Sequence, residues 1–251
     1  MNHISAAEIL ARIKAAEAAH RTTTRLSILH PTGNIQRFLI HDPAEVPSMM
    51  LQLGAPAEAI NAIVQPFGSG VRTEIVRTST PDGEVTVTLE VIRPYPSIII
   101  FGAGHVGQAL ALMSALAGYA VTVADDRSEF VTRERLPDES INLVAGPFAE
   151  VASRIPISTN TAIVIVTRGH QYDEQCLRDT VNSRARYIGM IGSKRRVIAV
   201  YRRLEADGID PRILARVHAP IGLSIAARSP QEIAVAILAE IIQTLNSPET
   251  A

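Results

Sequence analysis

A chain of 251 residues, 47% apolar and 20% charged, is long enough to bury one large core or two modest ones without help from disulfides or metals. Its formal net charge of -1 leaves no cationic excess for holding a polyanion, so nucleic acid is not an expected partner. The single cysteine, Cys176, cannot form an internal disulfide, the start Met1-Asn-His-Ile-Ser lacks a secretory pattern, and the apolar runs 96–104 and 233–242 are too short to cross a bilayer, so a cytoplasmic protein with no membrane partner is expected.

Residues 1–95 read as a smaller α+β domain. Ala6, Ile9, Leu10, Ile13 and Ala16 recur at helical spacing, which predicts an amphipathic helix over 5–20. Two hairpins follow: 25–29 with 35–40 around Pro31-Thr-Gly-Asn34, and 72–78 with 84–92 around Pro81-Asp-Gly83. Between them residues 44–65 read as helical, broken at Gly54 and Pro56. The stiff stretch Arg93-Pro94-Tyr95-Pro96 lacks two amide donors and makes a natural joint.

From residue 96 to 251 short apolar runs alternate with helical segments. Strands are expected over 98–101, 120–124, 141–144, 162–167 and 187–191, and helices over 104–116, 174–182, 194–206, 211–216 and 230–244. Runs that are apolar on both faces fit parallel strands covered by helices, so the fold class is α/β, a Rossmann-type parallel sheet domain preceded by the α+β unit. Asp210-Pro211 and the capping-box spacing Ser229-Pro-Gln-Glu232 mark two helix starts. Residues 233–242 are apolar nearly all round, apart from Glu240. That helix should be buried against the sheet, in a partner protomer or in both, and a homodimer is expected.

The chemistry sits at the ends of these strands. Gly102-Ala-Gly104-His105-Val106-Gly107 follows the first strand: Gly102 permits the tight turn, Gly104 lets backbone amides approach a phosphate, and Gly107 lets the helix pack on the strand. Asp125 ends the second strand, eighteen residues past Gly107, where its carboxylate can accept hydrogen bonds from a ribose or another polar group, while Asp126 reads as a cap or a solvent-facing acid. His105 either meets a phosphate or a neighbouring protomer, or is satisfied by local backbone. Thr167, Arg168, Gly169, His170, Gln171, Tyr172 and Asp173 follow the fourth strand, on the side where open α/β sheets bind ligands; the alternative is a solvated loop with Asp173 as a cap. Ser193 can cap the next helix, but Lys194, Arg195 and Arg196 in its first turn oppose the helix dipole. A bound phosphate or an acidic partner would compensate them, as would turning to solvent. Cys176 reads as inert packing, no histidine-and-cysteine spacing resembles a zinc site, and neither a nucleophile elbow nor a lysine-bearing P-loop is present.

Five ordered blocks resemble the XdhC/CoxI family of xanthine dehydrogenase accessory proteins: Ile99 to Gly107, Val123 to Arg127, Val166 to Asp173, Tyr187 to Arg195, and His218-Ala-Pro-Ile-Gly-Leu223 through Ser229 to Val235. The resemblance covers residues 90–243. It implies a maturation factor that binds molybdenum cofactor (molybdopterin, in mononucleotide or dinucleotide form), supports its sulfuration by a cysteine desulfurase, and inserts it into an apo molybdenum hydroxylase. The molybdenum is then held by the cofactor's own dithiolene, so no protein metal ligand is expected. Gly102, Gly104, His105, Val106 and Gly107 are the expected phosphate site, Asp125, Arg168 and His170 the expected pterin contacts, and Ser193, Lys194 and Arg195 a further anion site. Many members carry an N-terminal segment of the type S-G-G-C-V-E and a later C-G-G; neither precedes Pro94, so binding and delivery are better supported than sulfur handling. Two other readings remain: an NAD(P)-dependent oxidoreductase using the same glycine fingerprint, with no Tyr-x-x-x-Lys donor pair but with His170 and Asp173 able in principle to serve, and a non-catalytic nucleotide sensor.

Overall fold

Alternating burial builds one sheet of this chain and burial on both faces builds the other. A computed structural model describes residues 5–18, 23–40, 45, 48, 51, 73–80, 83–92 and 96–247. The chain divides into two compact units, Met1–Pro94 with Asn246–Ala251, and Tyr95–Leu245.

In the first unit α1 (Ala6–Ala18) begins where Ser5 Oγ accepts the Glu8 amide at 3.2 Å, and it buries Ile9 and Ala16. The strands are β1 (Thr23–Leu29), β2 (Ile35–Ile40), β3 (Thr73–Thr80) and β4 (Gly83–Ile92). They form one antiparallel sheet in the order β2-β1-β4-β3, so the two expected hairpins are joined by pairing of β1 with β4, Leu26 opposite Leu89 and Ile28 opposite Val87. Those four residues, with Ile40 and Val85, form one buried apolar cluster, the alternation that one-sided burial demands. The helix expected over 44–65 lies outside the described residues except at 45, 48 and 51, as does the joint at 93–95.

In the second unit β5 (Ser97–Phe101), α2 (His105–Leu116), β6 (Ala120–Asp125), β7 (Asn142–Ala145), α3 (Phe148–Arg154), β8 (Thr161–Ile165), α4 (His170–Thr180), β9 (Tyr187–Met190), α5 (Lys194–Ala206), α6 (Pro211–Leu214) and α7 (Pro230–Asn246) follow in order. The sheet is wholly parallel, in the order β7-β6-β5-β8-β9, with Phe101 beside both Ala124 and Ile165. This is the doubly wound order; it changes direction beside β5, and such a switch leaves a crevice at the carboxyl ends of the strands. Odd and even residues of the central strand part company. Ile99 and Phe101 join Ile163, Ile165, Ile188 and Met190 under α4 and α5, whereas Ile98 and Ile100 join Val121, Val123, Ala162, Val164 and Tyr187 under α2 and α7.

Two differences from the sequence reading have physical causes. Helix α3 is absent from the expected elements, since only Phe148 and Val151 of its seven residues are buried and so short a segment carries almost no period. Helix α4 starts at His170 rather than at 174: Gly169 is its extended N-cap, and its carbonyl accepts the Tyr172 and Asp173 amides at 3.1 Å. Helix α7 buries one face, Ala234, Ala236, Ile237, Ile241 and Leu245, while Val235 and Ile242 are exposed.

Candidate functional site

The carboxyl ends of β5, β6 and β8 converge on the glycine turn. Gly102 has φ +115°, a conformation open to glycine, and a Cβ there would lie 2.4 Å from the Val166 carbonyl oxygen. A Cβ on Gly107 would lie 1.9 Å from the Gly102 oxygen, so the start of α2 rests on the turn itself. Gly104 differs from both. Its φ is -72° and a Cβ would meet nothing within 4 Å, so neither backbone conformation nor packing asks for glycine there. Gln108 Nε2 donates to the Ala103 oxygen at 2.8 Å and holds the turn from inside. His105 is exposed at the mouth and Val106 is half-buried; no hydrogen bond joins the His105 ring to the described residues.

Asp125 is buried to 1% exposure and its carboxylate is fully engaged by the chain. Oδ2 accepts the Ala103 amide at 2.8 Å and Arg127 Nη2 at 2.9 Å; Oδ1 accepts Arg127 Nε at 2.9 Å and the Arg127 amide at 3.1 Å. Burial alone would raise its pKa, but these hydrogen bonds outweigh burial and hold the carboxyl below its usual value. Its work in the site is to fix the turn through Ala103. Arg127 in turn lies 3.7 Å over the Phe130 ring, with Arg135 4.4 Å from the same centroid.

At the end of β8 the polar cluster splits. Thr167 and Asp173 turn inward: the buried Asp173 accepts the Thr167 amide at 3.2 Å and the Thr167 hydroxyl, and it pairs with Arg196 from α5. Of the three cations at the start of α5, Arg196 is therefore compensated by an internal acid. Ser193 caps that helix, its Oγ accepting the Arg196 amide at 3.3 Å. Lys194 and Arg195 are exposed. Arg168 reaches the other way, donating to Asp126 Oδ2 at 2.8 Å and to Tyr172 Oη at 2.9 Å. The side chain of His170 lies outside what the structure describes.

Spacing gives no notice of two features. Asp126, read as a cap or a solvent-facing acid, is the partner of Arg168, 42 residues away. Glu240, an interruption in an apolar run, accepts the Tyr187 hydroxyl at 2.6 Å and the Gly222 amide at 2.8 Å, with His218 Nδ1 at 3.3 Å, and so docks α7 on the sheet edge. Burial first, and Glu240 second, push the Tyr187 phenol well above its usual pKa. Cys176 is buried, and burial drives its thiol far above the ordinary range, which removes it as a nucleophile at neutral pH. Among the described residues no group of three or more His, Cys, Asp or Glu is arranged to hold a metal ion, and no helix is long and apolar enough to cross a membrane.

Residues 98–241 match the model of the XdhC Rossmann domain. The chain is 33% identical over 165 residues to "Uncharacterized protein YqeB" of Escherichia coli (strain K12), a match covering 66% of this chain and 30% of that protein. It is 32% identical over 163 residues to a protein of Bacillus subtilis (strain 168) described as a probable xanthine dehydrogenase subunit, covering 65% of this chain and 47% of that one. The chain thus spans less than half the length of either curated relative. A crystal structure described as a xanthine dehydrogenase from Bacillus halodurans shares the fold, with a TM-score of 0.69 over 94% of this chain and 66% of that one at 20% identity.

Proposed function

Because the chain belongs to the XdhC family, whose Rossmann domain its residues 98–241 carry, we propose that it is a maturation factor that binds molybdenum cofactor and passes it to a xanthine dehydrogenase-type molybdenum hydroxylase. The observation that carries this reading is Gly104. The chain's own packing requires glycine at Gly102 and Gly107 but not at Gly104, where a bare backbone faces open space at a helix start. Such a position suits a phosphate or pyrophosphate, which the amides and the helix dipole both favour. The terminal phosphate of molybdopterin, or the pyrophosphate of its dinucleotide, has that chemistry.

The turn Gly102 to Gly107, with His105 and Val106 at its mouth, would hold the phosphate. Arg168 and His170 stand on the strand-end side where the pterin would lie, and Asp125 positions the turn. Exposed Lys194 and Arg195, capped by Ser193, would offer a second anionic contact or a patch for an acidic client surface. When bound, the cofactor supplies its own dithiolene for molybdenum, so the chain's task is to bind, orient and protect it. Support of sulfuration by a cysteine desulfurase, and work in the cytoplasm, belong to the same reading.

Purified from a molybdenum-replete host, the protein should carry a pterin, detected by fluorescence after oxidation. Gly104→Val should lower its pterin content at least about tenfold with far-UV circular dichroism unchanged, because it puts a side chain where the bare backbone faces open space and a Cβ meets no other atom of the chain. A nicotinamide in place of the pterin would support a dehydrogenase, an adenine nucleotide alone would support a sensor, and full pterin in Gly104→Val would move the site elsewhere. Exposed Val235 and Ile242, one helical heptad apart on α7, are the face through which a homodimer would form. Light scattering at micromolar concentration should return twice the 27.0 kDa chain mass, and a monomer mass throughout would exclude the dimer.

A further inference from the structure

Asp126 follows β6 directly, and Arg168 stands three residues past β8. In the sheet β5 lies between those two strands, all running the same way, so the Arg168–Asp126 ion pair crosses the end of β5 where the glycine turn begins. Tyr172 steadies the guanidinium, its hydroxyl 2.9 Å from Nη2 and its ring centroid 4.8 Å from Cζ. The carboxylate is less well served. Asp126 Oδ1 is buried and has no hydrogen-bond partner among the described residues, and the cation facing it, Arg127 Nε at 4.0 Å, is already engaged with Asp125. Native structures rarely leave a buried acceptor unmade, and one that does so stores a cost that a change of partner releases.

We propose that Asp126 is an internal competitor for Arg168, displaced when a multiply charged anion enters the crevice, and that it thereby sets how much negative charge a ligand must bring. The inference rests on reading the crevice as the ligand site. A neutral ligand cannot make the exchange, because it offers Arg168 nothing to replace the carboxylate. A phosphorylated ligand can, and Asp126 then turns to water with both oxygens satisfied. Asp126 is a specificity-determining residue in this account, acting through Arg168.

The test is calorimetric titration of the full chain with inorganic pyrophosphate. Asp126→Asn should bind about three- to fivefold more tightly than the unmodified protein, the range expected from removing one partly exposed competing charge. Arg168→Gln should bind more weakly, and adding Asp126→Asn to it should bring no gain. A purely structural role for Asp126 would not make the gain depend on Arg168. Unchanged or weaker binding by Asp126→Asn overturns the proposal, as does a gain that persists without Arg168. So does pyrophosphate that binds neither the unmodified protein nor Asp126→Asn. Gly104→Val separates the two levels. If it loses pyrophosphate while Asp126→Asn gains nothing, the competitor is wrong and the crevice stands; if it binds like the unmodified protein, the crevice is wrong as well.

Discussion

Replacing Gly107 with alanine is expected to destabilise the protein by about 3 kcal/mol or more, the cost of forcing an atom into a packed interior with no side chain free to yield. The new Cβ would lie 1.9 Å from the Gly102 oxygen and 3.1 Å from its carbonyl carbon, both backbone atoms. The turn cannot retreat, since Gly102 donates to the Ala124 oxygen at 2.8 Å on one side and a Cβ at Gly102 would already strike Val166 on the other. For a unit of this size the melting midpoint should fall by roughly 6–12 °C. Circular dichroism melts check it, with Gly104→Val as the control that melts like the unmodified protein. A Gly107→Ala midpoint within measurement error of the unmodified value would mean that α2 can slide on its strand.

Asp125→Asn should be nearly as damaging at neutral pH, about 3 kcal/mol, because Arg127 loses its buried counter-charge and an amide nitrogen is set against donors on one side. The effect has a pH signature. The folded carboxyl titrates below its usual value, its hydrogen bonds from Arg127 and from the Ala103 and Arg127 amides outweighing the burial that would raise it. Its stabilisation is therefore complete above the unfolded aspartate value near 4 and is lost as pH falls through the lower folded value. Urea unfolding at pH 7 and pH 3 should show the gap between the two proteins narrowing at the acid end. A gap independent of pH would assign the loss to packing rather than to charge.

How much of this can be seen in the sequence depends on how far apart the partners are. The glycine turn is legible because its three glycines fall within six positions directly after a strand, although the carbonyl that Gly102 packs against, that of Val166, lies far along the chain. The parallel sheet is legible because both faces of β5, β8 and β9 are covered, which writes continuous apolar runs. Asp125 is visible as a strand-end acid, but that Arg127, two residues on, wraps its carboxylate is not, since spacing carries no rotamer. Pairing of β1 with β4 and of Arg168 with Asp126 joins stretches with no local signal between them. Polar His170 to Asp173 hide the first turn of α4, because a helix that opens on polar residues has no apolar stripe until its second turn. Glu240 looks like a flaw in an apolar helix, whereas its partners Tyr187 and Gly222 come from 53 and 18 residues away.

Asp125 and Arg127 clamp the main chain on both sides of Asp126, one through the turn at Ala103 and the other through its own amide and guanidinium. Backbone travel at Asp126 is closed off, so an exchange of partners there is a matter of side-chain rotation. Loop motions take nanoseconds to microseconds, and an exchange confined to one side chain calls on none of them. In the proposed exchange a ligand therefore has to break one ion pair to take Arg168, and need wait for no loop to open.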